Sequence, residues 1–194
     1  MKKWFTTLLC MSFLSLCEAG EIKNEETGTV FPATVTFEHE GNSYQLDATG
    51  TSTRQRMGIK VYGMASYLQN NAEGPDAFAK IMDPKAAKQL TMKWMRDIEI
   101  KLLTDGYRDS FKKVQEGVNL QKEIDQFLAF YKQDIKYGDE QVIRYAPGGY
   151  VELLMNNQSL GHLTNEAFAQ VLWKIWFSPK SVVNRDQLVR VIKN

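Results

Sequence analysis

The sequence predicts a single α+β domain. Short segments rich in β-branched and aromatic residues are separated by turn signals such as Glu40-Gly41-Asn42 and Asn156-Asn157. This pattern is typical of antiparallel hairpins. Elsewhere apolar residues recur at helical spacing, as in residues 100–114, which predicts amphipathic helices. No internal repeat, low-complexity tract or linker divides residues 20–194, so one domain accounts for them.

The first nineteen residues have the pattern of a secretory signal peptide. Lys2 and Lys3 precede an apolar run over residues 4–16, which is too short to span a bilayer. Cys17 and Ala19 then supply small residues at the two positions that a signal peptidase recognises. Cleavage after Ala19 would make the protein an exported one, periplasmic in a bacterium with two membranes. An uncleaved apolar anchor is the alternative, and no later segment is long and apolar enough to span a membrane.

Cleavage would change the composition in ways that exclude several kinds of function. Basic residues fall from 24 to 22 and acidic residues from 23 to 22, and both cysteines, Cys10 and Cys17, are lost. A balanced charge argues against nucleic-acid binding, which depends on neutralising phosphates. The two histidines, His39 and His162, have no metal-ligand spacing, and there is no glycine motif for a nucleotide. The sequence therefore predicts no metal, no cofactor and no nucleic-acid partner.

The first half of the chain predicts two hairpins. Residues 21–29 are polar and are expected to be loose, and strands are predicted over 34–37 and 44–46. A second hairpin is predicted around Gly58. If Gly58 is its centre, residues whose numbers sum to 116 face each other, and Arg54 lies opposite Tyr62. On one continuous strand the same two residues would be about 26 Å apart, at roughly 3.3 Å per residue.

The second half predicts the helices and the remaining strands. The expected order is a helix over 75–82, a strand over 89–96, a helix capped by Asp97 and ending near Val114, a helix around 124–131, strands over 141–145, 150–155 and 159–163, a helix capped by Thr164, and a last helix over 183–192.

Two arginines in the second hairpin are the first candidate functional residues. Arg54 and Arg56 lie in a half-buried β pattern, where a guanidinium is costly unless an anionic or polar group meets it. Tyr62, across the hairpin from Arg54, would supply a second donor to the same ligand. The alternative for Arg54 is a structural ion pair with a nearby acid. Arg56 has the same strand parity and is the second choice, nearer to solvent.

At this point the order of motifs resembles a known family. FPATV is followed by a hairpin and by GTSTRQRMGIKVYGMASYL, then LTMKWMRDIEIKLLTDGYRDSF, and finally EAFAQVLWKIWF. This order is similar to that of the bacterial chalcone-isomerase-like domain. The resemblance implies an open-faced β-sandwich, in which the concave face of an antiparallel sheet packs against a layer of helices and a ligand cleft lies between them.

The resemblance also implies site residues. In the plant enzymes of the superfamily the cleft isomerises a chalcone, whereas related plastid proteins bind a fatty acid, whose carboxylate is held by Arg and Tyr. By motif position these two residues correspond to Arg54 and Tyr62. A tyrosine at 62, in place of the threonine of the isomerases, favours the binder. Arg56 and Tyr67, the second tyrosine of the motif, complete the predicted ligand-binding set.

Three functions are compatible with these observations. The first is an exported, non-catalytic binder of a fatty-acid-like or other apolar anionic small molecule. The second is an isomerase (an intramolecular lyase) acting on a chalcone-like phenolic enone, with Arg54 stabilising developing charge and Tyr62 orienting the carbonyl through water. The third is an accessory envelope protein whose cleft is vestigial. The sequence predicts neither the ligand's identity nor protein partners nor the oligomeric state.

Overall fold

The computed structural model describes residues 20–192. The predicted signal peptide, residues 1–19, lies outside the described residues. The elements in chain order are β1 (Glu21–Lys23), β2 (Val30–Pro32), β3 (Thr34–His39), β4 (Asn42–Arg56), β5 (Ile59–Leu68), α1 (Ala77–Met82), β6 (Lys88–Trp94), α2 (Ile100–Val114), α3 (Gln121–Leu128), β7 (Glu140–Ala146), β8 (Tyr150–Met155), β9 (Gln158–Thr164), α4 (Glu166–Phe177) and α5 (Arg185–Leu188).

Seven strands form one antiparallel sheet in sequential order, from β3 at one edge to β9 at the other. Three of its tight turns consist of two residues with positive φ, namely Glu40-Gly41, Met57-Gly58 and Asn156-Asn157. This backbone matches the right-handed twist of the flanking strands. The predicted α+β class, an antiparallel sheet packed against helices, is therefore confirmed.

In the hairpin between β4 and β5, Arg54 and Tyr62 are paired as predicted, although the turn is not centred on Gly58. Its turn is centred between Met57 and Gly58, so Arg56 pairs with Ile59 and the paired numbers first sum to 115. Val61 is then an extra residue on β5, and this bulge restores the sum of 116. Arg54 therefore pairs with Tyr62, as the sequence predicts, because the displaced turn and the bulge compensate for each other.

The N-terminal residues are more ordered than the sequence predicts. β1 pairs with β2 as a separate two-stranded sheet, within a segment expected to be loose. Asn24 anchors the intervening turn, since its Oδ1 accepts hydrogen bonds from Thr27 N at 2.9 Å and from Thr53 Oγ1 at 3.0 Å. A single buried asparagine thus satisfies polar groups in both the turn and the large sheet.

Three expectations about helices are wrong. Helix α2 begins at Ile100, whose N–H donates to Asp134 Oδ1 at 2.9 Å, so Asp97 does not cap it. Helix α4 is capped by Asn165, which accepts from Phe168 N, and not by Thr164. The last helix is four residues long, Arg185–Leu188. Within residues 20–192, no helix combines the length and the apolar character needed to cross a bilayer.

The sheet buries apolar side chains on both faces. A large cluster lies between the sheet and the helices, and a smaller one lies on the opposite face, around Phe37, Tyr67 and the small residues Ala65, Ala87 and Ala146.

The sheet curls toward the smaller cluster. The Arg144 guanidinium on β7 lies 5.4 Å from the ring centroid of Phe37 on β3, and His39 stacks on Tyr150 at 3.7 Å between ring centroids. Four strand spacings of a flat sheet would separate β3 from β7 by roughly 19 Å. The helices consequently pack on the outer face of the curl. The expectation that they cover its concave face is wrong, because small side chains let the opposite face close on itself.

Candidate ligand-binding cleft

A cleft of about 380 Å³ opens between the end of the β4–β5 hairpin and helices α2 and α4. Small-molecule sites in proteins are typically about 300–1,000 Å³ and mostly apolar. The hairpin supplies one wall, and exposure falls along it from 94% at Met57 through 52% at Ile59 to 7% at Tyr62. The hairpin therefore runs from a solvent-exposed tip at the mouth into the core of the protein.

Arg54 is a half-buried cation without an acidic partner. Its Nη1 donates to the backbone oxygen of Val182 at 2.7 Å. No ion pair among residues 20–192 includes Arg54, so the alternative of a structural ion pair with an acid is not found. A carbonyl orients the guanidinium but does not neutralise it, and a guanidinium has five N–H donors. Within the described residues, the charge of Arg54 is therefore not neutralised by an acid, and not all of its N–H donors are used.

Tyr62 lies beside Arg54 as a buried, protonated phenol. Its hydroxyl oxygen accepts from Trp176 Nε1 at 3.0 Å, and its ring meets that of Trp94 edge-on at 5.1 Å between centroids. Burial raises the pKa of Tyr62 well above its ordinary value, although the Trp176 hydrogen bond and Arg54 act in the other direction. Because the oxygen already accepts from Trp176, its O–H proton is available to an acceptor in the cleft.

A second phenol, Tyr107 of α2, also lines the cleft. Its oxygen accepts from Gln141 Nε2 at 2.9 Å and lies 3.3 Å from the hydroxyl of Tyr131. Burial raises the pKa of Tyr107 as well. The described residues offer no hydrogen-bond partner to Gln141 Oε1 or to Trp94 Nε1. The inner cleft therefore combines neutral hydrogen-bonding groups with aromatic surface.

The mouth of the cleft is basic and apolar. Arg56 and Arg96 line it together with Met57, Ile59 and Leu102, whereas no Asp or Glu is among the lining residues. Neither Arg56 nor Arg96 is in an ion pair within the part of the chain that the structure describes. The cleft as a whole therefore favours an anion.

Gly106 marks the point where α2 leaves room for the cleft. It lies inside the helix and lines the cavity, and a Cβ built on it would meet no atom within 4 Å. A glycine in a helix interior costs roughly 0.5–1 kcal/mol relative to alanine. No close contact in the structure requires this glycine, and its main local consequence is open cleft volume.

The structure brings together three of the four residues predicted to bind ligand. Arg54, Tyr62 and Arg56 line the cleft, but Tyr67 does not. The Tyr67 ring is buried in the smaller cluster, and its hydroxyl donates to Pro32 O at 3.0 Å. Residues 62 and 67 are five positions apart on one strand and must point to opposite faces. Tyr67 therefore lies apart from the other three predicted residues, on the face of the sheet that strand parity assigns to it.

Arg96, Gly106 and Tyr107 line the cleft but are not among the predicted ligand-binding residues. Tyr107 has the helical spacing of an ordinary core residue. Arg96 follows β6, and the pairing of Trp94 with Tyr62 brings it near the hairpin. The sequence predicts strand β6 but does not indicate that it pairs with β5.

Comparison with known proteins agrees with this fold. A family model described as chalcone isomerase-like matches residues 23–188. Among solved structures, the crystal structure of a fatty-acid binding protein from Arabidopsis thaliana matches with a TM-score of 0.72 and 12% sequence identity. The match covers 88% of this chain and 96% of that one, and at this identity it shows a shared fold. The comparison with curated proteins gave no match.

Proposed function

Because the chain belongs to the chalcone isomerase-like family, we propose that it binds an apolar, anionic small molecule of the fatty-acid type without transforming it. The observation that carries this proposal is the pairing of an unneutralised Arg54 with the protonated hydroxyl of Tyr62 in a mostly apolar cleft. Charge-assisted hydrogen bonds from Arg to a carboxylate are among the strongest available to a binding site. The aromatic and aliphatic walls would receive the ligand's tail.

The cleft volume sets an approximate ligand length. About 380 Å³, at roughly 30 Å³ for each water-sized group, holds on the order of a dozen such groups. A medium-chain fatty acid such as dodecanoic acid is therefore a suitable probe of the cleft. The matched Arabidopsis structure is that of a fatty-acid binding protein, which supports the same ligand class.

The proposal is tested by comparing two ligands that have the same apolar chain, of which only one carries a negative charge. Delipidated protein is titrated with dodecanoate and with dodecanol, which differ only in the head group. We expect dodecanoate to bind more tightly in calorimetry and to raise the melting temperature more. In an Arg54→Gln variant this preference should disappear while the weak affinity for dodecanol remains. Equal affinity of the unaltered protein for both ligands would contradict the proposed role of Arg54.

The isomerase alternative uses the same residues. Arg54 would stabilise developing negative charge, and Tyr62 would orient a carbonyl. A spectrophotometric assay with a hydroxychalcone decides between the two functions, because cyclisation removes the substrate's absorbance. The open cleft and the unpaired Arg54 count against the third possibility, a vestigial cleft.

We also propose that the protein is exported. Strand β1 begins at Glu21, two residues after Ala19, so cleavage there would leave every described strand and helix in the mature chain. The intact mass of the protein recovered from the extracytoplasmic fraction should correspond to a chain that starts at Gly20. Recovery of the full-length chain from the cytoplasm would contradict this.

A further inference from the structure

Exposed apolar residues gather around the mouth of the cleft. Residues 20–192 contain seven exposed large hydrophobic residues, and three of them line this one opening: Met57, Ile59 and Leu102. Single exposed hydrophobic residues are normal on a protein surface. A group of them around one opening is typical of an interaction site. We refer to these three residues, with Arg56 and Arg96, as the cleft rim.

Nothing in the structure of the chain by itself accounts for a methionine at position 57, the tip of the rim. It is 94% exposed and occupies a turn position with φ of 51°. Asn, Asp and Gly are the residues that such two-residue turns favour. Neither the backbone conformation nor packing therefore favours methionine here. Its apolar side chain would be stabilised only if the tip enters a less polar environment.

The charges of the rim indicate what that environment is. Arg56 and Arg96 have no ion-pair partner within residues 20–192, whereas the neighbouring carboxylates of Asp97 and Asp105 are each paired with a lysine. Glu99 is exposed but does not line the cleft. Unpaired guanidiniums beside exposed apolar side chains match a surface of phosphate groups above acyl chains. A neutral apolar partner would leave both arginines without counter-charge.

We propose that the cleft rim docks on an anionic phospholipid surface. Met57, Ile59 and Leu102 enter the head-group region, and Arg56 and Arg96 contact lipid phosphates. The mouth of the cleft then opens toward the lipid, so that an amphiphilic ligand can pass between membrane and cleft without crossing bulk water. The proposal goes beyond ligand binding and can fail while ligand binding stands.

The test is sedimentation with lipid vesicles. The chain is mixed with vesicles of phosphatidylcholine alone, or of equal parts phosphatidylcholine and phosphatidylglycerol. We expect binding to the anionic vesicles, weakened about fivefold by Arg56→Gln or Arg96→Gln. Met57→Asn should weaken it about tenfold. Asn suits the left-handed turn conformation, so this variant should fold at least as stably as the unaltered chain.

Two controls separate the rim from other contributions. Val118→Asn removes an exposed apolar residue that does not line the cleft and should leave vesicle binding unchanged. All variants must have the same N-terminus by intact mass, so that any contribution of residues 1–19 is common to them. Hydrogen exchange then gives a local measurement, in which anionic vesicles should slow exchange in residues 54–62 and 96–103.

The outcomes are decisive in both directions. Local protection by anionic vesicles, kept in Val118→Asn and lost in Met57→Asn, supports the proposal. Equal vesicle binding by all variants, with no local protection, overturns it. A change in oligomeric state caused by Met57→Asn, without any effect on vesicle binding, would also overturn it and would make the rim an interface between two copies of the chain.

Discussion

Replacing Gly106 with leucine should abolish ligand binding and leave the protein at least as stable. The position lies inside α2, its backbone is not in the left-handed region, and a Cβ there would meet no atom within 4 Å. Since Gly106 lines the cleft, a leucine side chain would occupy volume that the ligand needs. The expected result is thus a gain in stability combined with a loss of function.

The size of the stability effect follows from helix propensity. Glycine is about 1 kcal/mol less favourable than alanine in a helix interior, and leucine is close to alanine. For a chain of this length, 1 kcal/mol shifts the melting temperature by about 2–4 °C. Gly106→Ala and Gly106→Leu should both melt that much higher in calorimetry without ligand. Gly106→Ala should keep most of the dodecanoate affinity, because a methyl group removes little volume.

The matched control is Lys112→Leu, which places the same side chain at an exposed position of α2 that does not line the cleft. It should bind dodecanoate normally. If Gly106→Leu binds dodecanoate as tightly as the unaltered chain, the ligand does not lie against α2, and the cleft is not the binding site. If Gly106→Ala lowers the melting temperature, the added methyl group meets other atoms, which would contradict the open space beside α2.

Three further predictions concern individual side chains. Arg54→Gln should weaken dodecanoate binding by roughly ten- to a hundredfold in calorimetry, since hydrogen bonds to charged groups contribute about 1.5–3 kcal/mol; an unchanged affinity would refute its role. Tyr62→Phe leaves Trp176 Nε1 as a buried donor without an acceptor, which should cost about 1–3 kcal/mol in urea unfolding; no loss of stability would contradict the observed bond. Burial lowers the pKa of Lys88 from 10.5 to about 7. Between pH 7 and pH 10.5 the unfolded state therefore binds more protons than the folded state. The free energy of unfolding should thus rise with pH in this range, by up to about 1.4 kcal/mol per pH unit. Lys88→Met should show a flatter dependence in urea unfolding over that range, and equal slopes would contradict it.

The local part of the site could be predicted from the sequence. Strand parity and the signal of a tight turn place Arg54 opposite Tyr62, and a hairpin requires no knowledge of distant segments. Even so, the prediction was correct only because two deviations compensate for each other. The bulge at Val61 follows from how β5 meets its neighbours, which the sequence of the hairpin alone does not specify.

The opposite wall of the cleft could not be predicted in the same way. Leu102 and Tyr107 lie on a helix whose apolar spacing predicts burial but not the surface that it faces. The curl of the sheet likewise depends on Ala65 of β5, Ala87 immediately before β6, and Ala146 of β7, which are far apart in sequence. Side chains that meet through the tertiary fold leave no short-range periodic signal, so predictions made segment by segment miss them.

The segment from Trp176 to Val182 links the two walls of the cleft and contacts both Arg54 and Tyr62. Trp176 donates to the Tyr62 hydroxyl, and the carbonyl of Val182 accepts from Arg54. The five residues between those anchors include a turn in which Ser181 Oγ lies 2.7 Å from Trp176 O and accepts from Val183 N at 3.2 Å. The hairpin therefore supplies the two donors, whereas the turn after α4 fixes their orientation. A ligand carboxylate would meet groups already aligned by the protein, and less of its binding free energy would be needed to order them.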